Sequence, residues 1–151
     1  MTNSDPFIWT VRTYIYEYIV ATTQTPDLDT IAAHFALSEG AAGKILLALH
    51  EQHALFLEPG TMQIRIANPF SALPTPFVTE SNGKRYWANC AWDALGVIVA
   101  TGATMGRIHA TCAADQQPLA VEVVDGAVVD SGAIAHVLVP FRHWYDDMVF
   151  T

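Results

Sequence analysis

The stretch FVTESNGKRYWANCAWDALGVIVATG, residues 77–102, changes its hydrophobic period once, and that change sets the fold class. Its first half is two short runs around Asn82-Gly83, a pair that takes the positive φ angles of a type I′ hairpin turn. From about Cys90 to Ala100 the pattern becomes helical, with Asn89 as the candidate cap and Gly102 as the stop. Downstream, GRIHATCAA (106–114) alternates, with Ile108, Ala110 and Cys112 on one face. PLAVEVVDGAVVD (118–130) predicts two strands around Asp125-Gly126. AIAHVLVPF (133–141) predicts another strand, and DDMVFT (146–151) predicts extended chain. The second half is therefore expected to be a mostly antiparallel sheet with one buried helix.

The first half is different. DPFIWTVRTYIYEYIVAT (5–22) places Phe7, Ile8, Val11, Tyr14, Ile15, Tyr18 and Ile19 at helical spacing, with Asp5 as a cap and Pro6 at the first helical position. TPDLDTIAAHFAL (25–37) repeats the start signal at Thr25-Pro26, and Ser38 opens a third helix that turns Ile45, Leu46 and Leu49 inward. LFLEPGTMQIRI (55–66) predicts two short strands around Pro59-Gly60. Three helices and a hairpin make a winged-helix-like module over 1–68. The three prolines of residues 69–76 disfavour helix and make a connection. Residues 77–151 form the second, α+β domain.

The chain has 151 residues, 52% hydrophobic and 15% charged, the composition of a folded globular protein. Its net charge is −8. Residues 1–68 hold three basic side chains, Arg12, Lys44 and Arg65, against seven acidic ones. Phosphate contacts need clustered cations, so nucleic acid is an unfavourable partner despite the module's shape. The longest apolar run, ALGVIVATGA (94–103), is too short to span a bilayer, and the N-terminus has no signal-peptide pattern. A cytoplasmic protein with no membrane partner and two free thiols, Cys90 and Cys112, is expected. His50 and His53 stand three apart on a helix, but two ligands do not make a metal site. A solvated helix end is the simpler reading.

Cys90 and Asp93 carry the candidate chemistry. At a helix N-terminus the dipole and free N–H groups favour a thiolate. Three residues on, Asp93 shares that helix face. A soft sulfur binds a soft metal, and a neighbouring acid can deliver a proton to the group leaving that metal. A thiolate would raise the acid's pKa by repulsion, and the dipole would oppose the rise. An acid in a first helical turn is also common for dipole reasons alone.

YWANCAWDALG (86–96), followed by HATCAA (109–114), resembles the organomercurial (alkylmercury) lyase family, and the likeness runs from about residue 5 to about 139. The resemblance implies protonolysis of a carbon–mercury bond with no required cofactor. Cys90 corresponds to the thiolate that takes mercury, or another soft metal, and Asp93 to the aspartate that protonates the carbon. Cys112 corresponds to a structural thiol. The implied partners are a small organometal or other thiophilic ligand and external small thiols. The family's second catalytic cysteine should fall in FRHWYDDMVFT (141–151), where this sequence has none. His143, Asp146 and Asp147 stand in that segment and offer ligands for a mixed site with Cys90 and Asp93. On an extended strand only one of the two aspartates could join, and a solvated turn is the plainer reading. The alternative function is a non-catalytic protein that binds a soft metal or a thiol-reactive ligand on the same fold.

Overall fold

The computed structural model describes residues 6–137 and 139–146. Helix α1, Pro6–Thr22, buries Ile8, Val11, Ile15 and Ile19, spaced three and four apart as the sequence pattern requires. Burying each such side chain stabilises the fold by roughly 1.5–3 kcal/mol. The expected cap Asp5 lies outside the described residues. Helix α2, Leu28–His34, starts later than its Thr25-Pro26 signal. Asp27 caps it instead, its carboxylate accepting the Thr30 N–H at 2.8 Å. That hydrogen bond also holds the Asp27 carboxyl below its usual pKa. Helix α3, Glu39–Glu51, opens on Ser38, whose hydroxyl accepts the Ala41 N–H. Strands β1 (Phe56–Leu57), β2 (Ile64–Ala67) and β3 (Phe70–Ser71) form a three-stranded antiparallel sheet. The proline-rich segment thus contributes a strand, β3, which also bridges to Ala88.

The second sheet is antiparallel, in the order β5-β4-β6-β7-β8. Strands β4 (Val78–Ser81) and β5 (Lys84–Trp87) flank Asn82 and Gly83, both at positive φ as the hairpin reading requires. Helix α4, Ala91–Ala100, follows. Strands β6 (Gly106–Thr111), β7 (Pro118–Val124) and β8 (Ala127–Val128) complete the sheet, with Asp125 and Gly126 at the last turn. The whole is a mixed α+β fold.

Helix α4 is buried along Ala94, Val97 and Ile98 only; Trp92 and Val99 on its outer side are 71% and 78% exposed. Its inner face rests on β4 and β6. Buried Thr79 donates its hydroxyl to the Ala94 carbonyl at 2.9 Å. At Gly106 a Cβ would come within 2.8 Å of Ile98 Cδ1 and 2.9 Å of the Glu80 carbonyl oxygen, so the helix sits where only glycine leaves room.

Helix α1 is tied to the second sheet at its C-terminal end. The Lys84 ammonium donates to the carbonyls of Val20 and Ala21 at 2.9 and 2.7 Å, and the Tyr86 hydroxyl donates to Val20. These groups satisfy carbonyls that a helix end leaves open, and the cation favours the negative end of the dipole.

The strand expected over 133–141 does not form among the described residues. Alternation makes a strand only where one face finds a core, and Ile134 is 92% exposed. A short 3-10 turn, Phe141–His143, follows, and Trp144 donates its indole N–H to the Val139 carbonyl. Asp146 sits in the next turn and not on extended chain.

Candidate functional site

Helix α4 begins one residue later than the sequence suggests, and this changes the role of the thiol. Cys90, with extended backbone, is the N-cap, and Asn89 stands before it. Its sulfur accepts the Asp93 N–H at 3.5 Å, and its thiol donates to Asp93 Oδ2 at 3.4 Å. The sulfur thus fills the N-cap acceptor role usually taken by a hydroxyl, and the Asp93 carboxyl takes the thiol proton's hydrogen bond in return. Only part of the attraction between Cys90 and Asp93 is therefore chemistry that a ligand could use; part is ordinary helix capping.

Burial decides the acid–base character of the pair. The Cys90 thiol is pushed up, first by desolvation; N–H donation from Asp93 and Trp92 pulls it down, and the Asp93 charge adds to the rise. The thiolate favoured by the helix start is thus outweighed by the apolar surroundings. The Asp93 carboxyl is also raised, again mainly by burial, against hydrogen bonds from Cys90 and Asn89. Repulsion from a thiolate is not what lifts it. Burial thus shifts both groups toward their protonated forms, and the thiol directs its proton at the Asp93 carboxyl.

This gives an expected rate for Cys90. With iodoacetamide at pH 7, the folded chain should label Cys90 about tenfold or more slowly than the urea-unfolded chain, because alkylation needs the thiolate. The gap should close as pH rises past the ordinary thiol range. Quantifying the Cys90 peptide by mass spectrometry tests this, and equal rates at pH 7 would contradict the burial argument.

The floor of the site comes from residues that sequence reasoning passed over. The Pro69 carbonyl accepts the Asn89 N–H at 3.3 Å, and the Pro69 ring packs against Gly96, where a Cβ would come within 3.0 Å of it. Tyr16 of α1 donates its hydroxyl to the Asn68 carbonyl at 2.6 Å. Arg12 donates to the Tyr16 oxygen at 2.9 Å and lies over the ring, 4.4 Å from its centroid. The only sequence signal was their i,i+4 spacing on α1, which does not point to a partner 52 residues away.

The other candidates lie elsewhere. Cys112 is not on a strand face but just past β6, at the head of the turn into β7, and it is half-buried. Its N–H donates to the Gln117 carbonyl, and its side chain bonds Asp115, holding that carboxyl below its usual pKa. Cys112-Ala-Ala-Asp115 therefore repeats the spacing of Cys90-Ala-Trp-Asp93 in an exposed turn. His143 pairs with Asp146, Nδ1 to Oδ2 at 2.8 Å, and both are exposed. The next residue but one, Tyr145, stacks on His53 at 4.5 Å. That contact turns the segment toward the end of α3. Asp147 lies outside the described residues. His50 accepts the Leu57 N–H through Nδ1, and His53 stacks on Phe56, so both rings are engaged in packing. Among the described residues no group of three or more His, Cys, Asp or Glu side chains is placed to hold a metal ion. Among the described residues, His143 and Asp146 are thus not grouped with Cys90 and Asp93 around a metal position. Among the same residues no single helix is long and apolar enough to cross a membrane.

Comparison with known proteins places the fold and the family. No curated protein matches the chain. Among solved structures, the mercury-bound form of MerB2 superposes with a TM-score of 0.65 at 19% identity, over 82% of this chain and 58% of that one. That likeness is one of fold, and the chain spans a little over half of that protein's length. The model of the MerB alkylmercury lyase family matches residues 70–149, more than half of the sequence, and includes β3, α4 and the whole second sheet. The chain belongs to the alkylmercury lyase family.

Proposed function

We propose that the protein cleaves carbon–mercury bonds by protonolysis, with Cys90 as the soft ligand and Asp93 as the proton carrier. The observation that carries this is the 3.4 Å thiol-to-carboxylate contact at a partly buried helix start. An organomercury cation binds the Cys90 sulfur, forming the sulfur–mercury bond as the thiol proton passes to Asp93. Asp93 then protonates the carbon. The electron pair of the carbon–mercury bond becomes the new carbon–hydrogen bond, the hydrocarbon leaves, and mercury(II) stays on sulfur. The net change is one proton consumed per hydrocarbon released.

Cys112 belongs to a separate turn, so Cys90 is the thiol of this site. An external small thiol supplies the second sulfur on mercury, makes the attached carbon more basic, and carries the inorganic ion away. The same observation supports a second reading, in which one thiol holds a soft metal or a thiol-reactive ligand without turning it over.

Phenylmercury with excess small thiol separates the two. Gas chromatography should detect benzene above the thiol-only blank, and none when the external thiol is withheld. Tight binding of phenylmercury with no benzene above the blank would replace the lyase by the binding protein.

A further inference from the structure

We infer that Arg12 is a docking point for a carboxylate on the external thiol, so that the site selects a small thiol acid as the second sulfur on mercury. The kinetic consequence rests on the lyase reading above. Arg12 is half-buried, and neutral acceptors hold it. Its Nε donates to the Ala54 carbonyl at 3.3 Å and its Nη2 to the Tyr16 hydroxyl at 2.9 Å. The guanidinium also lies 4.4 Å from the Tyr16 ring centroid and 5.9 Å from that of Trp9. A guanidinium has five N–H donors, so an Nη edge is left for a bidentate carboxylate. Arg65, Arg85 and Arg107 each have a glutamate within ion-pair distance. No carboxylate among the described residues stands that close to Arg12. A partly desolvated cation without an acid is the exception in a chain of net charge −8, and an anion from outside would complete it.

The cation stands within reach of the thiol. Tyr16 donates to the Asn68 carbonyl at 2.6 Å, and its ring packs edge-on against Phe70 at 6.1 Å, so this face of α1 lies along residues 68–70. Those residues lie in turn along 88–90, where the Pro69 carbonyl takes the Asn89 N–H and Phe70 bridges to Ala88. Arg12 and Cys90 are therefore separated by about two chain spacings, roughly 10 Å. A small thiol acid extended from mercury on Cys90 covers that span. In the step concerned, mercury(II) on the Cys90 sulfur gains a bond to the incoming sulfur, whose proton goes to water. A further thiol then takes the ion, and its proton restores the Cys90 thiol.

Native mass spectrometry reads the preference directly. Mercury-loaded protein, in a Cys112→Ser background so that Cys90 alone holds the ion, is offered equal amounts of 3-mercaptopropionate and its methyl ester. The two adducts differ in mass, and the peptide of residues 86–96, loaded in the same way, supplies the ratio set by thiol chemistry alone. The folded chain should favour the acid over that ratio by about fivefold, the scale of a charge pair partly open to water, although its net charge opposes the acid. Folded Arg12→Gln should return to the peptide's ratio. Salt at about 0.5 M should bring the wild-type chain most of the way there, an arm that needs no variant to fold. In the benzene assay the KM for the thiol acid should rise about fivefold in Arg12→Gln, with kcat within about twofold. A wild-type ratio equal to the peptide's, or an unchanged ratio in folded Arg12→Gln, would overturn the docking point. Acid preference in a protein that releases no benzene would keep the docking point and remove the lyase reading; benzene release without acid preference would do the reverse.

Discussion

Replacing Cys90 with serine is expected to take benzene release down to the thiol-only blank, a loss on the order of 1,000-fold or more. The reason is softness. A hydroxyl is a hard, weakly acidic donor and does not compete with the external thiols for mercury. Mercury would stay on the small thiols and never reach the acid. The substitution is unusually clean because Cys90 is also the N-cap of α4. Serine accepts the Asp93 N–H better than a thiol does, so the helix start should be as stable as before or more so. Unchanged far-UV circular dichroism and an equal or higher melting temperature, together with lost turnover, would isolate the sulfur. Turnover retained above a tenth of wild type would mean that the chemistry does not pass through Cys90.

Asp93→Asn should slow benzene release by about 100- to 1,000-fold while phenylmercury binding remains. An amide cannot carry the proton from sulfur to carbon near neutral pH. Binding should even be eased, because the Asp93 charge is one of the causes that raise the Cys90 thiol. Stability should move the other way from activity. The folded chain holds the Asp93 proton more tightly than the unfolded chain, since burial raises that carboxyl. Stability is therefore lost as pH rises from the ordinary carboxylate range through the raised value, and the penalty is complete above it. At pH 7 the amide variant escapes that penalty and should melt higher than wild type. Below the ordinary carboxylate range the two should converge. Denaturation at pH 7 and pH 3 beside single-turnover benzene release tests both halves. A variant that loses mercury along with turnover would show that Asp93 binds the metal and does not serve it with protons.

Local grammar made much of this fold legible. Asn82-Gly83 and Asp125-Gly126 mark turns because their backbones take positive φ, and Ser38 marks a helix start because its hydroxyl replaces a missing partner. The errors arose where two local signals compete. Thr25-Pro26 and Asp27 are both start signals, and the carboxylate that reaches Thr30 wins. Asn89 and Cys90 are both possible caps, and the thiol takes the place because Asp93 answers it from three residues on. The alternating run at 133–141 has strand composition but no sheet face to cover. The Cys90–Asp93 pair was legible because its members are near in sequence. The sense of its pKa shifts was not, since burial belongs to the tertiary structure. Tyr16 was invisible for the same reason, its partner carbonyl being set by how α1 lies across the Asn68–Pro69 segment.

Gly106 carries none of the chemistry, yet it sets how close α4 can come to the sheet. The absent methyl group there lets Ile98 settle against β6, beside the Glu80 carbonyl on β4. Ile98 and Cys90 ride on one rigid rod, so the height of the sulfur above the sheet is fixed from its far end. In any survey of which positions tolerate change, residue 106 would sort with the reactive residues although it touches no reactant. Intolerance in this chain thus measures leverage on the sulfur as much as nearness to it.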